Sequence, residues 1–350
     1  MVKTKKSVLP KDFEAQLEKG DLSALKAVFD MCDVNARGGV LKQTALAFAQ
    51  CPDELARWLI DQGADLAAGD SYGDTPLHSR SRHWKGRIEV LLELGANPNF
   101  GGSLRSTPLH AAAGSCNVAN ARLLLQYGAR VDALNHDGQT PLAYALQRCS
   151  NAQIQSMAVL AELLIAAGAQ RTAEMKKFVT RIGTDFEFHR SGFNPALMAA
   201  TCEALEKLCA IFDVPAIPHR VVHDGSSPIA LRTEHWEDRH EELWGLLVPS
   251  SGHADTVQGE VVRIAGRIHD ELDRNGGVNW DSDYNKMAAA FLLHVASGIP
   301  LDTSLLGEAR KLVTALKGKA ADARRLCELG VEWVSLNPIP TKLKPPDYRR

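Results

Sequence analysis

An all-α fold in two parts is predicted for this 350-residue chain: a solenoid of about five helix-turn-helix units, then a separate helical domain. Three observations predict it. Thr75-Pro76-Leu77-His78 returns as Thr107-Pro108-Leu109-His110 and, weakened, as Thr140-Pro141-Leu142-Ala143, while Thr44-Ala45-Leu46-Ala47 is a fainter copy upstream. A second beat runs beside it, with Gly63-Ala64, Gly95-Ala96, Gly128-Ala129 and Gly168-Ala169 each closing a leucine-rich segment. Beyond residue 173 both phrases stop, although helical spacing of apolar residues continues.

The chemistry of the phrase is that of a helix start. Threonine caps the first turn, and proline follows where its missing N–H costs nothing. The glycine ends the second helix, where a left-handed residue is wanted. The Thr107 unit is the most regular: Leu109, Ala112 and Ala113 face inward on its first helix and Leu123, Leu124 and Leu125 fill the second. In the Thr75 unit, Arg80 and Ser81 stand in place of the two alanines, and Trp84 stands where a glycine is expected. In the Thr44 unit, Cys51-Pro52 cuts the first helix short. The Thr140 unit carries an insertion around 150–156, and Phe13 to Val34 reads as a degenerate capping unit. A period near 33 with this wording resembles the ankyrin repeat, over about residues 8–173. Such units cannot bury their apolar faces alone, so the outer ones must be irregular.

The resemblance implies a non-enzymatic protein-binding adaptor or inhibitor that grips a protein partner with its turn tips and first helices. Carried over position by position, Tyr72, Asp74, Arg105, Ser106, His136 and Gln139 fall at the tips. Phe48, Ser79, Ala111 and Tyr144 share one place on successive first helices, with Arg82 and Arg148 a turn later. Aromatic and arginine side chains are common interface anchors, which singles out Phe48, Tyr72, Arg82, Tyr144 and Arg148, although Phe48 and Tyr144 serve equally well as padding for short units. The family implies a structural role for His78 and His110, bonded to backbone around the turn.

Composition is that of an ordinary globular protein, 45% hydrophobic and 23% charged, with a net charge of −2. Near-neutrality argues against a nucleic-acid partner, and no apolar run is long enough to span a membrane. The basic start, Met1-Val2-Lys3-Thr4-Lys5-Lys6, has no apolar core behind it, so no signal peptide is expected. Seven cysteines without a C-x-x-C pair fit a reducing, cytoplasmic setting. Alanine-rich helices and a plain two-domain chain suggest a bacterial protein. In that setting, stand-alone ankyrin proteins resemble immunity or anti-defence factors that neutralise a toxin or immune enzyme by binding it, an analogy at the level of fold.

Residues 174–336 are expected to form a helical domain with an ordered proline-rich loop at 213–232, followed by a proline-rich basic tail at 337–350. Helices are expected over about 234–247, 255–275, 282–296, 302–316 and 320–336, with a break at Gly183-Thr184-Asp185 and a short strand at Arg220–Val222. Gly259 and Gly266 lie two turns apart on one helix, which costs propensity and calls for a close-packed neighbour. Gln258, Arg263, Arg267 and Asn275 are candidates for an anion pocket, because arginine suits bidentate recognition. That pocket would make this half a small-ligand sensor or an enzyme. The competing readings are a solvated lattice of ion pairs and a buried charge network. No catalytic residues, metal ligands or cofactors are expected: Glu260, Asp270, Asp281 and Asp283 match no catalytic spacing, and His235 and His240 diverge on a helix.

Overall fold

A computed structural model describes residues 4–316 and 322–349. The chain divides into two compact units. One runs through Phe186 and resumes over Asn194–Ile217, and the other takes Glu187–Phe193 and the chain from Pro218 onward.

The first unit opens with strand β1 (Lys6–Val8), helices α1 (Phe13–Lys19) and α2 (Leu22–Met31), and strands β2 (Cys32–Gly38) and β3 (Gln43–Thr44). The small sheet runs β1-β2-β3, parallel and then antiparallel, and is absent from the sequence expectation. The repeat helices follow: α3 (Asp53–Asp61), α4 (Pro76–Arg82), α5 (Glu89–Glu93), α6 (Pro108–Gly114), α7 (Val118–Gln126), α8 (Pro141–Arg148) and α9 (Ile154–Ala166). First helices α4, α6 and α8 pack in series, while second helices pack α2 on α3, α3 on α5 and α7 on α9. The Gly-Ala beat acts as expected, with Gly63, Gly95, Gly128 and Gly168 at φ 91°, 92°, 82° and 101°, a region that favours glycine. Thr107 Oγ1 accepts from the His110 N–H and Thr140 Oγ1 from the Ala143 N–H, the predicted caps.

Expectations for the Thr44 unit, for the end of the stack and for Gly183 are corrected here, while the insertion near residue 150 is present. The first helix of the Thr44 unit shrinks to a single 3-10 turn at Ala45–Ala47, which leaves carbonyl groups without helical partners. Arg80, fully buried, donates from Nε to the Leu46 carbonyl at 2.7 Å and from Nη1 to that of Arg87 at 3.1 Å. Two irregular neighbours thus complement each other. The insertion near residue 150 is absorbed as a 3-10 turn and a longer second helix, α9. The stack also does not end at residue 173: α10 (Ala173–His189) runs straight through Gly183, and α11 (Pro195–Ile211) packs on α9. Gly183 serves packing, since a Cβ there would lie 2.4 Å from Ile217 Cγ1.

The second unit contains α12 (Trp236–Leu247), α13 (Val257–Asp273), α14 (Ser282–Val295), α15 (Thr303–Leu316) and α16 (Arg324–Leu336). These match the expected helices within a few residues, except that positions 320 and 321 lie outside the described residues. Helix α13 is central and touches α12, α14 and α16. Its apolar stripe, Val261, Ile264 and Ile268, is fully buried against Met287, Phe291 and Trp333. The two glycines admit the neighbour they called for: a Cβ at Gly266 would fall 2.4 Å from Trp244 Cζ3, and one at Gly259 would fall 2.9 Å from the Leu247 carbonyl. No strand forms at Arg220–Val222. Instead Arg220 caps the end of α12, donating from Nε to the Gly245 carbonyl at 2.7 Å and also to that of Val248. Among the described residues no helix is long and apolar enough to cross a membrane.

Candidate functional site

The turns that precede the first helices are built by one recurring device. Asp70 Oδ1 accepts the N–H groups of Tyr72 (2.8 Å) and Asp74 (3.1 Å), and Asn135 Oδ1 accepts those of Asp137 (3.0 Å) and Gln139 (2.9 Å). A short polar side chain that folds back on its own backbone stiffens a turn. Neighbouring tips are then tied together. The Ser71 N–H donates to the Leu41 carbonyl at 2.9 Å, and that of His136 to the Leu104 carbonyl at 2.7 Å. The Ser103 N–H donates to Asp74 Oδ1 at 2.8 Å.

Aligned on threonine, the position two residues earlier is left-handed in every turn. Gly73 (φ 88°) and Gly138 (φ 72°) hold it in two of them, but Lys42 (φ 52°) and Arg105 (φ 57°) hold it in the others. A side chain in that region costs about 1–2 kcal/mol, and such strain gathers where a surface is used. Leu104, beside Arg105, is also left-handed (φ 51°) and stands 67% exposed. Lys42 and Leu104 were not singled out from the sequence. Setting the units in register on Thr44, Thr75, Thr107 and Thr140 exposes the first of them, because only two glycines appear in that column.

Between tips and first helices lies a groove of about 260 Å³, lined by Arg82, Leu104, Ala111, Gly114, Tyr144 and Arg148 among others. Gly114 makes room for the Tyr144 ring, since a Cβ there would sit 2.5 Å from Cε1. The Arg148 guanidinium lies over that ring, 5.3 Å from its centre. Tyr144 is half-buried, and Tyr72, Arg82, Arg105, His136 and Arg148 are exposed. Three expected contact residues are not available, and one of them, Gln139, is buried with its carbonyl accepting from His110. Phe48 is buried with its ring edge-on to Phe13, because the shortened first helix turns it into the core. Asp74 is also buried, and it holds Arg82 by an ion pair and the Ser103 backbone by a hydrogen bond.

His78 and His110 do structural work. Each Nδ1 accepts its own threonine's N–H, at 3.2 and 3.1 Å, and each Nε2 donates across to the next turn, to the Ser106 and Gln139 carbonyls at 2.9 Å. Burial lowers the pKa of both below 6.5 and keeps them neutral.

In the second unit the proposed anion pocket does not assemble. Gln258 is buried and clamps the tail: its Nε2 donates to the Asn337 and Ile339 carbonyls and its Oε1 accepts the Thr341 N–H. Arg263 is buried against Glu260, with Nε–Oε2 at 2.8 Å and Nη2–Oε1 at 2.7 Å. Asn275 donates to Glu271, while Arg267 points to solvent. The buried-network reading describes Arg263 better. The Tyr348 hydroxyl donates to Glu260 Oε1 at 2.8 Å, and the Ala254 N–H to Oε2 at 2.9 Å. Burial alone would raise the Glu260 pKa, but Arg263, Ala254 and Tyr348 outweigh it and hold the carboxyl below its usual value. Burial, with the Glu260 charge beside it, pushes the Tyr348 hydroxyl up. The tail therefore lies on the domain, where an antiparallel bridge pairs Thr256 with Lys342.

Comparison with known proteins agrees with the first unit. A family model described as ankyrin repeats, in three copies, matches residues 81–170. "Ankyrin repeat and SOCS box protein 16" of Mus musculus is 36% identical over 120 residues, covering 32% of this chain and 26% of that protein. "Ankyrin repeat protein nuc-2" of Neurospora crassa is 25% identical over 278 residues, 73% of this chain and 26% of that protein. An ankyrin repeat protein of Rickettsia felis is 31% identical over 147 residues, 40% of this chain and 59% of that protein. The chain spans about a quarter to a third of the length of the first relatives it matches. The geometry of the caps, the Gly-Ala helix ends and the histidine bridges agrees with these matches: the first unit of this protein carries ankyrin repeats.

Proposed function

We propose that this protein is an adaptor or inhibitor that holds one protein partner on the face formed by its turn tips and first helices. The observation that carries the reading is the groove lined by Arg82, Leu104, Tyr144 and Arg148, with Tyr72 exposed at a neighbouring tip. Arginine and tyrosine anchors around a shallow groove suit protein recognition. The rigid tips also lower the ordering cost of binding.

The test is affinity purification of the tagged full-length chain from its native cell, compared with Tyr72→Ala, Leu104→Ala and Arg148→Ala. Each substitution is expected to weaken the recovered partner's binding by tenfold or more, about 1.4 kcal/mol, with the fold unchanged by circular dichroism. Wild-type affinity in all three would remove this face from the function. Titration of the partner's own activity then separates the two roles. An inhibitor that holds a toxin or immune enzyme out of action shuts it off at a one-to-one ratio, and an adaptor leaves it running.

A further inference from the structure

Between α3 and α9, charge is sorted between the two layers of the stack. The outer helices α3, α5, α7 and α9 carry six acidic residues, Asp53, Glu54, Asp61, Glu89, Glu93 and Glu162, against Arg57 and Arg122. The inner helices α4, α6 and α8 carry Arg80, Arg82 and Arg148 and no acid. Arg80 is buried, so Arg82 and Arg148 are the pair that reaches the groove. The tips repeat the pattern, with Lys42 and Arg105 on strained backbone where the neighbouring turns use glycine. Of the acids there, Asp70 is spent on backbone N–H groups and Asp74 on one nitrogen of Arg82, whose side chain stays 48% exposed, which leaves Asp137. A chain of net charge −2 thus presents a basic strip on one face.

From this sorting we infer that the partner element is an acidic linear peptide segment, lying extended across α4, α6 and α8. The inference rests on the protein-binding reading above and specifies its chemistry. Carboxylates meet Arg148 at one end and, at the other, the face of the Arg82 guanidinium that Asp74 leaves open, with Lys42 and Arg105 along the tips. The floor between them is small, Ala111 and Gly114, and is walled by Tyr144 and the exposed Leu104. One apolar side chain of the segment fits there. Adjacent packed helices lie about 8–10 Å apart, so two steps from α4 to α8 span roughly 16–20 Å. At about 3.3 Å per extended residue, the two end carboxylates are about five or six residues apart.

The experiment is selection of a random twelve-residue phage library on the immobilised full-length chain, followed by fluorescence anisotropy on the enriched peptides at two salt concentrations. Enriched sequences are expected to carry Asp or Glu at two positions about five or six apart around an apolar residue. Binding should weaken at higher salt, and Arg82→Gln with Arg148→Gln should weaken it tenfold or more. Arg105→Gly carries the sharpest signature: affinity falls severalfold while the thermal midpoint rises, because strain is relieved as a contact is lost. Enrichment of neutral or basic sequences, glutamine-for-glutamate peptides that bind equally well, or no enrichment at all would overturn the inference. The outcomes are separable from those of the parent reading. A native partner lost on Tyr72→Ala or Leu104→Ala but indifferent to both arginine changes leaves protein binding standing and removes the acidic chemistry.

Discussion

The two units of this chain are held together over different distances. In the repeat stack the tertiary hydrogen bonds are short-range in sequence and recur. His78 reaches Ser106 across 28 residues, and His110 reaches Gln139 across 29. In the second unit the corresponding bonds are unique and long: Gln258 to Ile339 across 81 residues, and Tyr348 to Glu260 across 88. A stack built from repeated near-neighbour contacts tolerates faults one unit at a time, as the shortened Thr44 unit and the buried Arg80 illustrate. A unit closed by one buried ionic network offers no such redundancy.

The largest expected break in that contrast is Glu260→Ala. It removes the buried carboxylate that holds the Arg263 guanidinium, and about 3–5 kcal/mol of stability should be lost. Urea unfolding followed separately in the two units should show the loss in the second unit alone. Equal loss in both would mean that the units do not unfold independently. Tyr348→Phe is the milder version. It removes one hydrogen bond to a charged group, worth about 1.5–3 kcal/mol, and hydrogen exchange should rise over residues 337–349 before it rises over α13. Protection of the tail unchanged from wild type would show that Gln258 and the Thr256–Lys342 bridge suffice to hold it.

The smallest effect lies in the stack and depends on pH. The folded pKa values of His78 and His110 lie below the ordinary 6.5 because burial disfavours the charged ring. The unfolded chain therefore binds more protons on acidification. The stabilisation is complete above about pH 6.5 and is lost as pH falls from there toward the folded values. Urea midpoints of the stack should drop between pH 7.5 and 5.5, and His78→Gln with His110→Gln should flatten the slope. A midpoint independent of pH in the wild type would show that both rings stay paired when charged.

The repeats were legible because their determinants are local. A threonine cap, a proline at the next position and a glycine at the far end each act within one unit, and each was found where its chemistry put it. The same locality explains the failures. Phe48 occupies the place of Tyr144 in the pattern, but its helix had shrunk to one turn, so it points into the core. Asp74 sits at a tip, but Arg82 two turns away draws it inward. In the second unit the close helix pair at Gly259 and Gly266 was readable, since glycine has a cost that only packing repays. The role of Arg263 was not, because nothing near it in sequence announces a tyrosine 85 residues downstream. The basic residues in left-handed turns lay between these cases. Lys42 and Arg105 look ordinary alone and become informative only when the four turns are set in register.

The reach from Glu260 to Tyr348 also sets an order of events during synthesis. Domains fold from the N-terminus as the chain emerges, at about 5–20 residues per second, so the repeats can stack while the second unit is still being made. For the 88 residues that separate the two partners, roughly 4–18 s at that pace, Glu260 and Arg263 have been translated but the tyrosine that closes over them has not. The repeat stack is therefore formed before the other unit can lock, and the face proposed to take a partner is in place while the chain is still attached to the ribosome.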